Sequence, residues 1–174
     1  MEEKTLKTNY IYKGRILNLR NDEIELPNGR TAYREVIEHS GGAAVLAIDQ
    51  DNYVYLTEQF RYPYKKSLLE LPAGKLNQGE SPEVCALREL KEETGLTANR
   101  LEKLGELYPS PGYTEEIIYV FRAEGLSSGT ASPDEDEFLN VVKMPLKELV
   151  EKIKCNEIKD AKTVFGVLRY IVSK

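Results

Sequence analysis

Cysteine is scarce in this 174-residue chain, basic residues are outnumbered, and no apolar run approaches the length that crosses a bilayer. Each shortage excludes something. Cys85 and Cys155 are the only cysteines, and Cys85 falls on a stretch that reads as helix, so a disulfide framework is not indicated, although sequence leaves one bridge open. The opening residues MEEKTLKTNY lack the apolar core of a secretion signal, which makes the cytoplasm the expected compartment. With 24 Lys and Arg against 29 Asp and Glu the net charge is −5, and no basic stripe interleaves with aromatics. That balance attracts no phosphate backbone, so nucleic acid is not an expected partner and neither is a membrane. No Gly-Lys-Ser or Gly-Lys-Thr is present for a P-loop, and Gly41-Gly42 lacks the dinucleotide-binding spacing. Asp49-Gln50-Asp51-Asn52 has Val54 where a calcium loop needs glycine, and reads as a polar turn.

What is there is an ordinary globular composition, 41% hydrophobic and 30% charged, in a chain long enough to bury roughly 70% of its unfolded surface. Residues 1–40 alternate in short runs and read as an antiparallel meander, with Asn28-Gly29 turning Asn18 to Leu26 back on Thr31 to His39. Residues 41–174 form the main body. Strands are expected at Ala43 to Ile48, Tyr53 to Phe60, Leu101 to Tyr108, Glu116 to Ala123 and Phe138 to Met144. Gly125 to Pro133 is small and polar, a mobile loop by composition. Helices are expected at Leu146 to Lys154 and Ile158 to Ser173, the second with Val164, Leu168 and Ile171 at helical spacing and with Phe165 and Tyr170 packing in the core.

The densest chemistry lies between Gly74 and Leu96, GKLNQGESPEVCALRELKEETGL. Ser81 is a good N-cap, Pro82 suits the first helical position, and Gly95 is the residue expected just past the end, which predicts a helix over Pro82 to Thr94. At about 100° per residue Val84, Ala86, Leu87 and Leu90 share a sector that should face the core. Glu89, Glu92 and Glu93 fall opposite, with Arg88 at the margin. Carboxylates three and four residues apart destabilise an isolated helix. A hard divalent cation, which takes carboxylate and carbonyl oxygens, would turn that repulsion into binding.

The spacing is Gly74, five residues, Glu80, seven residues, then Arg88-Glu89-Leu90-x-Glu92-Glu93-x-Gly95-Leu96. It resembles the Nudix box at every defined position. The resemblance implies an α/β fold of the α+β kind, an α/β/α sandwich with a mixed central sheet, joined here to an N-terminal antiparallel sheet. It also implies two or more Mg²⁺ or Mn²⁺ ions and attack on a nucleoside diphosphate linked to another group. By that resemblance Glu89, Glu92 and Glu93 are metal ligands, while Gly74, Glu80, Arg88 and Gly95 organise the box.

Two further segments, EQFRYP followed by LELPAGKL and Ser110-Pro111-Gly112 with Pro111 fifteen residues beyond Leu96, resemble the ADP-ribose pyrophosphatase branch of that family. This implies substrate contacts from Arg61, with Arg34, Glu58 and Glu116 beside it, and a metal contact from the Ala73 carbonyl. It further implies a homodimer formed through the N-terminal sheet. The acidic loop Asp134-Glu135-Asp136-Glu137 would supply the base from Glu135 and an added metal contact from Glu137, the two roles being interchangeable on sequence alone. The expected activity is hydrolysis of ADP-ribose to AMP and ribose 5-phosphate. The alternatives are another nucleotide sugar, such as GDP-mannose or ADP-glucose, and a non-catalytic module that binds a nucleotide.

Overall fold

The computed structural model describes residues 1–132 and 138–173. The chain folds as two compact units, Met1–Gly41 with Tyr108–Ile117, and Gly42–Leu107 with Ile118–Lys174.

In the first unit β1 (Lys4–Lys13), β2 (Leu17–Glu25) and β3 (Thr31–His39) form an antiparallel sheet in chain order. Leu17 lies opposite His39 and Glu25 opposite Thr31, the hairpin pairing expected from Asn28-Gly29. Gly29 takes φ +78° and donates its amide to the Leu26 carbonyl at 2.8 Å, a backbone angle that glycine adopts without a Cβ clash. Residues 108–117 join this unit. Ile37 N–H donates to the Tyr113 carbonyl at 2.7 Å, and Glu115 N–H donates to the Ile37 carbonyl at 3.1 Å.

The second unit is built on a mixed sheet. Its strands are β4 (Gly42–Ile48), β5 (Tyr53–Arg61), β6 (Lys66–Glu70), β7 (Ala73–Lys75), β8 (Leu96–Leu107), β9 (Ile118–Ser128) and β10 (Leu139–Pro145). The main order is β10-β5-β4-β9-β8, with β6 on β5 and β7 on β4, and only the β4–β9 pair is parallel. All of β4 is buried because both its faces are covered. Ala43, Val45 and Ala47 pack against Cys85, Ala86 and Leu90 of α1 (Pro82–Thr94). Ala44, Leu46 and Ile48 pack with Leu149 of α2 (Leu146–Lys154) and with Val167 and Tyr170 of α3 (Ala161–Val172). Helices thus cover both sides of a sheet that is neither purely parallel nor purely antiparallel. A buried leucine in such a core contributes about 1.5–3 kcal/mol.

Two local readings change. Gly125-Leu126-Ser127-Ser128, polar enough to read as loop, continues β9, and Leu126 to Ser128 pair with Leu96 to Ala98, because the long neighbouring β8 offers them a ladder. In α3 the buried stripe is Thr163, Gly166, Val167 and Tyr170, while Leu168 and Ile171 are exposed. Small residues decide this: a Cβ on Gly166 would stand 2.9 Å from Leu71 Cδ1, so the helix approaches the sheet on its glycine side. Tyr170 is buried and Phe165 packs against the same cluster, as core residues. Both thiols are free, Cys85 buried and Cys155 exposed.

Candidate active site

Helix α1 has the predicted ends. Ser81 Oγ accepts from Val84 N–H at 3.3 Å, and Gly95, at φ +73°, donates to the Lys91 carbonyl at 2.9 Å. A side chain at Gly95 would also strike Ala131 N at 2.7 Å, since residues 129–132 lie on the end of this helix. There Gly129 N–H donates to the Gly95 carbonyl and Ser132 N–H to the Glu92 carbonyl.

The helix face corrects the sequence reading. Val84 is 57% and Leu87 41% exposed, whereas Cys85, Ala86, Glu89, Leu90 and Glu93 are buried. The buried sector is therefore centred about 110° from the one that apolar spacing selects. Two carboxylates sit in its middle, Glu89 at 7% and Glu93 at 2% exposure. Burying a carboxylate is costly unless it is paired and hydrogen-bonded. This surface of α1 is therefore shaped by the polar groups it faces as well as by apolar contact.

Those groups come from β7. Ala73 N–H donates to Glu93 Oε2 at 3.0 Å. Gly74 lies so close to Glu89 that a Cβ there would stand 1.9 Å from Oε1, which explains the glycine at the head of the motif. Arg88 organises the rest: it donates to Glu80 at 2.8 and 2.9 Å, to Glu89 at 2.5 Å, to Glu92 at 2.9 Å and to the Lys75 carbonyl at 3.2 Å. The hydrogen bond from Arg88 holds the Glu80 carboxyl down to about 2, and the same partners hold the Arg88 guanidinium above its ordinary range. Among the described residues no three acidic, His or Cys side chains are gathered into a metal cluster. The donors that do converge, two buried carboxylates beside the Ala73-Gly74 backbone, are hard oxygens and fit a divalent cation of the Mg²⁺ type.

Arg61 ends β5 and donates Nε to Glu70 Oε1 at 2.8 Å and Nη2 to Glu70 Oε2 at 2.7 Å. The register of β5 with β6 puts Thr57 opposite Glu70 and Arg61 opposite Lys66, so Arg61 and Glu70 share a face. Lys162 of α3 also bonds to Glu70. Glu70 and Glu93 both add to the charge that holds the Arg61 guanidinium above its ordinary range, Glu70 chiefly by hydrogen bonding. Burial pushes the Glu70 carboxyl up, but Arg61 and Lys162 outweigh it and leave it below the usual carboxylate range. Glu58, three residues from Arg61, points to the other side of β5 and lines a surface cavity with Leu69, Val142 and Lys159.

Arg34 and Glu116 belong to the first unit. Arg34 is clamped by Glu3 at 3.1 and 2.6 Å, and Glu116 lies 3.5 Å from His39 Nδ1. Glu135 and Glu137 lie outside the described residues. Sequence reasoning missed Glu70 and Lys162. Glu70 stood in the quoted LELPAG run, but nothing in the chain signals that Lys162, ninety-two residues later, meets it.

The family model described as NUDIX domain matches residues 38–165. The chain belongs to the Nudix family. The model described as Nucleoside diphosphate sugar hydrolase N-terminal domain matches residues 3–37. Nudix hydrolases generally use divalent metals such as Mg²⁺. Among curated relatives, a "Methanol dehydrogenase activator" of Bacillus methanolicus is 47% identical over 168 residues, 95% of this chain and 91% of that protein. An "ADP-ribose pyrophosphatase" of Bacillus subtilis is 42% identical over 169 residues, 96% of this chain and 91% of the relative. A "GDP-mannose pyrophosphatase" of Cronobacter sakazakii is 41% identical over 141 residues, 75% of this chain and 73% of the relative. A solved "ADP compounds hydrolase" shares the fold with a TM-score of 0.86 at 24% identity, over 99% of this chain and 94% of the other.

Proposed function

We propose that this Nudix protein hydrolyses the diphosphate of ADP-ribose to AMP and ribose 5-phosphate. The observation that carries the reading is the pair Glu89 and Glu93, buried against the Ala73-Gly74 backbone within the box. The ADP-ribose pyrophosphatase relative, aligned over nearly the whole chain, supports the substrate.

Glu89 and Glu93, with Glu92 and the Ala73 carbonyl, would hold two or more Mg²⁺ or Mn²⁺ ions. Bound there, the ions would neutralise the diphosphate and acidify or orient a water. Arg61 offers its remaining N–H donors to a phosphate oxygen. Arg34, Glu58 and Glu116 are further substrate contacts on the family resemblance alone. Glu135 takes a proton from the water as its oxygen bonds to phosphorus and the bridging P–O bond breaks in line. Glu137 adds a metal contact, the two glutamates being interchangeable in these roles. Gly74, Glu80, Arg88 and Gly95 keep the box in shape.

The enzyme acts as a cytoplasmic homodimer in this reading. No helix among the described residues is long and apolar enough to cross a membrane. Every residue of β1 is exposed, including Leu6, Tyr10, Ile11 and Tyr12, which supports pairing through the N-terminal sheet. Light scattering during size exclusion tests that pairing.

A second reading, the same chemistry on another nucleotide sugar, is favoured by the GDP-mannose pyrophosphatase relative. The deciding experiment follows AMP release from ADP-ribose with Mg²⁺ and with chelator, beside GDP-mannose and ADP-glucose. Metal-dependent turnover selective for ADP-ribose supports the first reading. Turnover only on another sugar supports the second, and silence on all of them leaves a nucleotide-binding module.

A further inference from the structure

Glu70 is a buried carboxylate, 2% exposed, that bridges two cations drawn from distant parts of the chain. One of its oxygens accepts from Arg61 Nε, and the other from Arg61 Nη2 and from Lys162 Nζ. An arginine gripped along one edge in this way cannot swing. It keeps three N–H donors, two of them on Nη1, for an anion.

Lys162 is itself fixed. It donates to Asp160 Oδ1 at 2.9 Å, and the other Asp160 oxygen caps α3 by accepting from Thr163 N–H at 3.0 Å. Thr163 Oγ1 in turn accepts from Leu71 N–H at 2.8 Å, tying the start of α3 to the residue that follows Glu70 and lies two before Ala73.

We propose that Lys162, acting through Glu70, is a positioning residue that sets the orientation and the effective charge of Arg61 toward the substrate diphosphate; this rests on the ADP-ribose reading above. The charges explain why a second cation is needed. Glu70 and Asp160 carry two negative charges, and Arg61 with Lys162 brings the cluster to neutrality. Without Lys162 the guanidinium would face an anionic substrate from a cluster one charge negative. Glu70 would also lose one of its two cationic partners while buried, which favours rearrangement of the one that remains.

The test is a mutant cycle on ADP-ribose hydrolysis with Lys162→Met, Lys162→Arg, Arg61→Ala and the Arg61→Ala/Lys162→Met pair. The expected result is a KM raised about tenfold by Lys162→Met with kcat changed less than about threefold, largely restored by Lys162→Arg. Once Arg61 is gone, removing Lys162 should raise KM no further. An unchanged KM in Lys162→Met, or the same KM increment with and without Arg61, overturns the proposal. Should Lys162→Met melt below the assay temperature, Lys162→Gln, which keeps a donor for Glu70 but not the charge, replaces it. An unmutated chain that turns over no nucleotide sugar defeats the functional reading and this proposal together. Normal turnover with an indifferent Lys162 defeats this proposal alone.

Discussion

Glu93 Oε2 and the Ala73 amide, twenty residues apart in sequence, are joined by a 3.0 Å hydrogen bond that ties the buried side of α1 to β7. Glutamine at 93 keeps an oxygen to accept that bond and removes the charge. Glu93→Gln should therefore fold, melting within a few degrees of the unmutated chain, and lose at least about a hundredfold in kcat as a ligand charge disappears. Full activity in that variant at ordinary Mg²⁺, measured by AMP release, would sink the metal assignment.

A methyl group at 74 has no room. The Cβ of Gly74→Ala would stand 1.9 Å from Glu89 Oε1 and 2.1 Å from its carboxyl carbon, so either the carboxylate or β7 must move. Destabilisation of about 1–3 kcal/mol is expected from the forced shift, read as a lowered urea midpoint. The loss of activity should exceed what the stability change explains, because the displaced group is a proposed metal ligand. A fully active Gly74→Ala would show that activity does not depend on the close approach of Glu89 to Gly74.

Much of this fold and box was legible because local rules fix it. Ser81, Pro82 and Gly95 mark the ends of α1 by capping chemistry, and the structure places the helix at Pro82–Thr94. What failed was the direction of the helix. Apolar spacing chose Val84 and Leu87, yet Glu89 and Glu93 face inward because the Ala73-Gly74 backbone receives them, a tertiary fact that no periodicity records. The Arg61 cluster was half legible: the arginine stood in a recognisable run, while Lys162 arrives from α3 through the packing of Gly166 and Thr163 against the sheet. Gly125 to Ser128 read as loop because composition does not reveal that β8 is long enough to pair with them.

Glu135 and Glu137 are separable by kinetics. Glu135→Gln should lower kcat by about 10²–10⁴ with little change in KM, the range for loss of a general base. Glu137→Gln, as an added metal contact, should instead be partly rescued by raised Mg²⁺. The reverse pattern exchanges the two assignments, and full turnover in both variants removes the base from this loop.

Acid should unlock the loop before α1. Glu80 accepts from Asn77 N–H at 2.9 Å and from Arg88 at 2.8 and 2.9 Å, and its carboxyl is held down to about 2 from 4.5. A depressed folded-state value means the unfolded chain takes up this proton first as pH falls. The contribution of Glu80 is thus complete above about pH 4.5 and is lost progressively as pH drops toward 2. Glu80→Gln removes that proton uptake, so its urea midpoint should be lower than that of the unmutated chain at pH 7, and the two should converge through this window. A gap that stays constant from pH 7 to 3 would mean that Glu80 acts through shape and not through charge, and the Arg88 hub would then rest on Glu89 and Glu92.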